Sequence, residues 1–385
     1  MDTLHVPAVK AASTPLPDSH SGETASQDAP LLSLVICTLD EFDAIGCVLH
    51  EVDQQLQGIS HEIIVVDDSS DSRTADVVSA YAAAHPQVKL VRRYLATGLS
   101  SAAIKGWDVA TGRYLAIMDG DGQHDPALMR VLLDKLSNPD MDIAVASRYL
   151  DDMRSGLHGL RHRLSRAGTW LTDVMLGVPL ADPLSGCFAM KREWYMQVRR
   201  ELSGLGFKIL IDVVASGTRK PRTAQVPTLL RARAGGESKL DTRVVIDLIA
   251  LLIEKRTRGR FSAGAFMSSM SMLSALLMQW FSLAVLRTLA LPLWLALLLS
   301  TGVGMTSRFG LAVLMTPRSR RPRNLLELRR QWMAYCPSRW TDVPLITGSA
   351  LALCMAHCPW PIAVLAGVAL AEVRYYFGVQ AGANA

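Results

Sequence analysis

The chain has 385 residues, half of them apolar and 19% charged, with a formal net charge of +5. That length suits two domains, and the charge is concentrated rather than spread. Between Pro317 and Arg330, six arginines (Arg318, Arg320, Arg321, Arg323, Arg329, Arg330) face the single Glu327, so this one segment carries as much positive charge as the whole chain. Beside apolar spans such a block reads as a cytoplasmic loop at an anionic membrane surface. No aromatic platform or DNA-binding motif accompanies it, which argues against nucleic acid as a partner.

Residues 1–30 lack both apolar periodicity and the apolar core of a secretion signal, and are expected to form a disordered tail. The six cysteines include no CxxC pair and read as buried free thiols. From Leu32 the pattern is that of an α/β domain. Leu32–Cys37 is a short apolar run that suits a buried strand, and Glu41–Gln57 has helical spacing of Ile45, Val48, Leu49, Val52 and Leu56. A second strand, Glu62–Val66, ends in Asp67-Asp68-Ser69-Ser70-Asp71. A helix over 72–84, a strand over 88–92 and a helix over 100–110 follow. The strand Tyr114–Met118 ends in Asp119-Gly120-Asp121, and 142–146 is one more strand. Strands and helices alternating at this spacing predict a parallel sheet. In such sheets ligands gather beyond the carboxyl ends of the strands, where both acidic clusters lie.

Past residue 150 the pattern changes. The segments Leu160–Leu176 and Asp241–Glu254 are amphipathic, with arginines and lysines at one end. Both suit core-packing helices, and both suit helices lying in the headgroup layer. Gly264–Leu286 is then 23 residues without charge, enough to cross a bilayer. Thr288–Ser307 is a second uncharged run, interrupted by Arg308 and extendable through Phe309–Met315. Val343–Ala371 is a third, broken by Pro359 and Pro361 and read as two helices in a hairpin. The expected division is a tail (1–30), a catalytic domain (31–240), a juxtamembrane amphipathic helix (241–260) and a transmembrane domain of four helices (261–385). The basic segments at 255–260 and 318–330 place the catalytic domain on the cytoplasmic side.

The chemistry rests on the acidic turns. Breaking the sugar bond of a nucleotide sugar requires its diphosphate charge to be neutralised. Carboxylates on a strand-end turn can hold a divalent cation that bridges phosphate oxygens. Asp119 and Asp121, on a turn loosened by Gly120 and Gly122, suit that task, and Gln123 offers a neutral oxygen ligand.

On these motifs the chain resembles glycosyltransferase family 2, and within it the polyprenol phosphate mannose synthases (dolichol-phosphate mannosyltransferases). The resemblance spans about Leu31 to Leu240. It is carried by Val66–Asp71, Asp119–Pro126, Ser147-Arg148-Tyr149, Asp182–Arg192, Gly206–Leu210 and Arg233–Leu240. It implies a GT-A fold (nucleotide-sugar-binding, Rossmann-like), followed here by interfacial helices and a helical transmembrane domain. It further implies inversion at the anomeric carbon and a divalent metal, Mg or Mn. Carried over residue by residue, Asp67 and Asp68, with Thr38 and Glu41, would bind the nucleotide. Asp119, Asp121 and Gln123 would bind the metal and the donor phosphates. Arg148, with Arg161 or Arg163 and Ser165, would receive the acceptor phosphate, while Arg233, Ser238 and Lys239 would contact phosphates. Asp182 would orient the acceptor or an arginine, or cap a turn.

The resemblance makes mannose from GDP-mannose the expected donor group and a polyprenyl phosphate the acceptor. Glucose or another hexose from a UDP-sugar is the alternative, and a glycolipid translocation protein is the reading from another class. One departure bears on the base. Where these proteins carry Pro-Thr/Ala-Tyr-Asn-Glu, this chain has Cys37-Thr38-Leu39-Asp40-Glu41, without the aromatic.

Overall fold

The computed structural model describes residues 29–94, 98–148, 150, 177, 180–204, 206–231, 242–257, 259–289, 291–316, 322, 324–339 and 341–383. The expected tail up to residue 28, the helix over 160–176, Tyr149, Arg161, Arg163, Ser165, Arg233, Ser238, Lys239 and the arginines 318, 320, 321 and 323 lie outside the described residues. The chain divides into two compact units, with the boundary between Phe261 and Ser262.

The first unit is built on a seven-stranded sheet in the order β3-β2-β1-β4-β6-β5-β7. Its strands are β1 (Leu32–Thr38), β2 (His61–Asp67), β3 (Val88–Arg92), β4 (Tyr114–Asp119), β5 (Ile143–Ser147), β6 (Phe188–Lys191) and β7 (Thr223–Pro227). The helices α1 (Ile45–Gln55), α2 (Arg73–Ala82), α3 (Leu99–Val109) and α4 (Leu128–Ser137) alternate with them; α5 (Arg192–Val198), α6 (Ile209–Ala215) and α7 (Thr242–Arg256) follow later in the chain. Strands β1, β2 and β4 are buried on both faces, so they read as unbroken apolar runs rather than alternating ones. Leu34, Ile36, Ile63 and Val65 pack with Leu49 and Val52 of α1 and with Leu132 of α4, all fully buried. Val35, Ile64 and Ile117 point the other way, onto Ala103 and Trp107 of α3 and onto Trp194 and Tyr195 of α5. Each such aliphatic side chain contributes about 1.5–3 kcal/mol by leaving water.

The sheet is not purely parallel. β6 runs antiparallel to both β4 and β5, while all other pairings are parallel. Helix α7 lays Leu248, Leu251 and Leu252 against Ile211 of α6, so at least that face packs within the first unit. All six cysteines are free, but only Cys187 is buried. Cys47 is exposed because Ile45, Val48, Leu49 and Val52 make up the inward stripe of α1.

The second unit contains α8 (Ala263–Thr288), α9 (Leu293–Met315), α10 (Leu325–Arg339), α11 (Asp342–Met355) and α12 (Trp360–Ala383). Helices α8 and α9 are long and apolar enough to cross a membrane, and α11 is a shorter apolar helix. Arg308 does not interrupt α9, because its guanidinium pairs with Glu372 of α12. Glu327, Arg329 and Arg330 stand on the helix α10, where the sequence reading placed a loop. Leu283, Leu297, Ala350 and Val364 are among the buried residues holding α8, α9, α11 and α12 together.

Candidate active site

Strand order reverses between β1 and β4. The chain winds outward through β2 and β3, then returns to the other side of β1. The crevice beyond the carboxyl ends of β1 and β4 is therefore a topological switch point. The register brings the acidic turns to this edge, since Thr38 lies opposite Asp67 and Cys37 opposite Asp119.

The carboxylates are used differently. Asp67 is fully buried, and its Oδ1 accepts from Thr38 Oγ1 (3.0 Å), Ser69 N (3.2 Å) and Ser69 Oγ (2.5 Å). It shapes the loop after β2, while Arg92 approaches Oδ2 to 3.7 Å. Asp68 is held by Arg93, whose Nε and Nη2 donate at 2.7 and 2.6 Å, and by the Gly98 N–H at 3.0 Å. Asp119 stands more open, its side chain one-third exposed. Asp121 is largely buried and accepts from the Gln123 N–H at 3.1 Å across a turn in which Gly122 has φ +75°. That left-handed conformation is costly for any residue with a Cβ. Glu41 is half-buried at the start of the α1 turn, its carbonyl accepting from Ala44 and Ile45.

Gly186 explains why Asp119 has room. A Cβ on Gly186 would come within 2.4 Å of Asp119 Oδ2. The turn carrying Gly186 reaches this edge because β6 runs against its neighbours. The same turn presents Asp182, fully buried, which holds Arg148 through Nε (2.6 Å) and Nη2 (2.8 Å) and accepts from the Arg148 N–H (3.2 Å). Such a bidentate pair fixes the guanidinium plane.

Two groups here escaped the sequence reading. Burial lowers the Lys208 ammonium below its ordinary range, as does Arg148, while Asp119 and Asp182 pull it back. Lys208 thus shares the field of all three, though it sat unassigned in a motif quoted for its resemblance. His124 is buried with Nε2 3.7 Å from Asp119 Oδ2, and its Nδ1 finds no hydrogen-bond partner among the described residues. The turn is also tied to the segment after β7. The Arg231 N–H donates to the Gln123 carbonyl at 2.8 Å, Gln123 Nε2 donates to the Arg231 carbonyl at 3.3 Å, and the Arg231 guanidinium pairs with Glu51 and Asp125.

Among the described residues, no group of three or more His, Cys, Asp or Glu is placed to hold a metal ion. Asp119, Asp121 and Gln123 offer only oxygen donors, and the space kept by Gly186 lies against Asp119. This suits a hard divalent cation that takes its remaining ligands from substrate phosphate and water.

The model of glycosyl transferase family 2 matches residues 33–199, which include both acidic turns, Arg148 and Asp182. The dolichol-phosphate mannosyltransferase of Saccharomyces cerevisiae is 32% identical over 201 residues, which are 50% of this chain and 73% of that protein. The chain belongs to glycosyl transferase family 2. Within the family, the dolichol-phosphate mannosyltransferase of Pyrococcus furiosus is 33% identical over 222 residues, covering 57% of this chain and 61% of the archaeal protein. The chain thus spans less than two thirds of that relative. The undecaprenyl-phosphate mannosyltransferase of Micrococcus luteus is 27% identical, covering 55% of this chain and 88% of that protein. Among solved structures, a glucosyl-3-phosphoglycerate synthase from Mycobacterium tuberculosis is 18% identical with a TM-score of 0.46, covering 63% of this chain and 87% of that one. The family 2 domain here is the GT-A arrangement expected from sequence, followed by a helical unit.

Proposed function

We propose that this protein transfers mannose from GDP-mannose to the phosphate of a polyprenyl phosphate, with inversion, at the cytoplasmic face of a membrane in which α8, α9 and the α11–α12 hairpin are embedded. The observation that carries the reading is the pairing at one sheet edge of an open acidic turn, Asp119 to Gln123, with a fixed cation, Arg148 clamped by Asp182. Relatives named as dolichol-phosphate and undecaprenyl-phosphate mannosyltransferases support the substrate class.

Asp119, Asp121 and Gln123 would hold a divalent Mg or Mn ion, whose chemistry when bound is to neutralise the diphosphate oxygens. Thr38, Glu41 and Asp68 line the nucleotide side, with Asp67 shaping the loop they share. Arg148 receives the acceptor phosphate, and Lys208 adds a second cation between the two anions. Arg161, Arg163, Ser165, Arg233, Ser238 and Lys239 remain part of the proposal from sequence. The acceptor oxygen is already ionised at neutral pH, so it needs no general base. Alignment of two anions held by fixed cations supplies the catalysis.

The test is a transfer assay in detergent with a short polyprenyl phosphate and Mg or Mn, offering GDP-mannose in one arm and UDP-glucose in the other. The UDP arm is included because Leu39 stands where the resembling proteins carry an aromatic. Lipid-linked mannose that disappears with chelator is the expected result. A glucose product would reassign the donor, and no product from either donor would defeat the reading.

A further inference from the structure

The second unit is charged in a way that orientation signals alone do not explain. Residues 262–385 contain ten arginines and no lysine against three acids, Glu327, Asp342 and Glu372, a balance of +7 where the whole chain has +5. Two of the three acids meet three of the arginines inside the helix bundle. Arg308 of α9 pairs with Glu372 of α12, its Nη2 lying 3.3 Å from Oε2. Arg339, at the end of α10, lies 3.2 Å from Asp342 of α11 and 3.5 Å from Glu372. Arg374 of α12 donates to Asp342 at 2.5 Å. The network joins α9, α10, α11 and α12 and, among the described residues, counts three arginines against two acids. Within residues 262–385 the remaining acid, Glu327, lies at the opposite end of α10.

Depth makes that excess expensive. Ser307, beside Arg308, shares a hydrogen bond of 2.7 Å with Ser274, close to the middle of α8. At about 1.5 Å per residue this level is about 17 Å from one end of α8 and about 21 Å from the other. Glu372 is about 18 Å along α12 by the same measure. Arg308 is about 10 Å from the end of α9, and Arg339 and Asp342 flank the α10–α11 junction, so in a hydrocarbon core of about 30 Å the network lies inside but toward one face, where a net charge is still disfavoured. The side chains of Arg339 and Arg308 are 9% and 16% exposed, but that of Arg374 is 44% exposed, so the layer opens to its surroundings at Arg374.

We infer that the Arg308–Arg339–Arg374 layer is a binding site for the phosphate headgroup of an anionic lipid, reached through Arg374 and formed by other residues than those proposed for the acceptor phosphate. The guanidinium fork matches two phosphate oxygens, and a lipid phosphate drawn to this depth would cancel the excess charge. The inference rests on the reading of this unit as embedded in a bilayer. Sugar transfer is not its readout, so a failed transfer assay leaves it standing.

The test uses the full chain, delipidated in detergent, with bound lipid counted by native mass spectrometry. The probes are phosphatidylglycerol, phosphatidylcholine and inorganic phosphate. Phosphatidylglycerol is expected to bind at least 10-fold more tightly than phosphatidylcholine. Arg374→Gln should remove most of that preference and Arg374→Lys should retain part of it. Glu372→Gln, which adds a net positive charge, should tighten phosphatidylglycerol binding several-fold. Equal binding of the two lipids, or a loss of binding in both Arg374→Gln and Glu372→Gln, would make the network a helix clamp and overturn the proposal. Inorganic phosphate competing as well as phosphatidylglycerol would also overturn it, by showing a soluble anion to be the ligand. If Glu372→Gln does not fold, the contrast between Arg374→Gln and Arg374→Lys decides.

Discussion

Strand β2 carries a carboxylate near each end, and the sheet treats Glu62 at its amino edge and Asp119 at its carboxyl edge in opposite ways. At the amino edge, Glu62 accepts from Ser33 Oγ (2.6 Å), Thr111 N (2.6 Å), Thr111 Oγ1 (2.8 Å) and Lys89 Nζ (2.7 Å). Burial alone would raise its carboxyl, but these donors outweigh it and bring the group down to about 2. At the carboxyl edge, Asp67 is spent on its own loop, while Asp119 keeps a third of its side chain open. A saturated carboxylate stabilises the fold, whereas an open one invites a cation. The lesson is that acidic residues in one sheet divide by how much of each the fold leaves exposed.

Substitutions can break this contrast, and the largest effect is expected at the open edge. Asp119→Asn or Asp121→Asn should lower transfer by on the order of 10^3-fold, while the thermal midpoint stays within a few degrees of wild type. A similar drop in both quantities would place these acids with the structural ones. Gly186→Ala should cost about 10- to 100-fold in transfer, because its methyl group displaces the Asp119 carboxylate. Its mark would be weakened Mn binding, measured calorimetrically without turnover.

Glu62→Gln should do the reverse, lowering stability by about 2 kcal/mol and leaving kcat near wild type. A kcat loss as large as that of Asp119→Asn would erase the distinction between the edges. The smallest effect is in acid. Because the folded Glu62 carboxyl lies below its unfolded value of 4.5, its stabilisation is complete above that pH and is lost as pH falls toward about 2. Melting curves between pH 5 and 2.5 should therefore converge for wild type and Glu62→Gln. Parallel curves would show that the donors around Glu62 do not act through its charge.

The sequence made the central strands legible because Leu32–Cys37, Glu62–Val66 and Tyr114–Met118 are buried on both faces and so are continuously apolar. It did not disclose β6 or β7. The first is four residues long, and the second, Thr223–Pro227, buries only Val226. The acidic turns were visible as motifs, but their pairing was not. Asp68 and Arg93 are 25 residues apart with no periodicity linking them, and Asp182, read as orienting the acceptor or an arginine or capping a turn, is 34 residues from the arginine it holds, Arg148. Lys208 was hidden for the same reason, since its importance comes from Arg148, Asp119 and Asp182, none of them near it in the chain. In the helical unit, the extension of the span past Arg308 was legible, but the pairing of Arg308 with Glu372 on α12 was not.

The reversed strand β6 has a consequence for how such a protein diversifies. Strand β5 ends at Ser147 and β6 begins at Phe188, and because the two are antiparallel neighbours both points sit on the same rim. Whatever is inserted between them need not cross the sheet, and doubling its length costs only about 0.6 kcal/mol in loop-closure entropy. Under the function proposed above, a different acceptor would be met by changing the length of this connection while the hydrophobic layers of the sheet stay untouched.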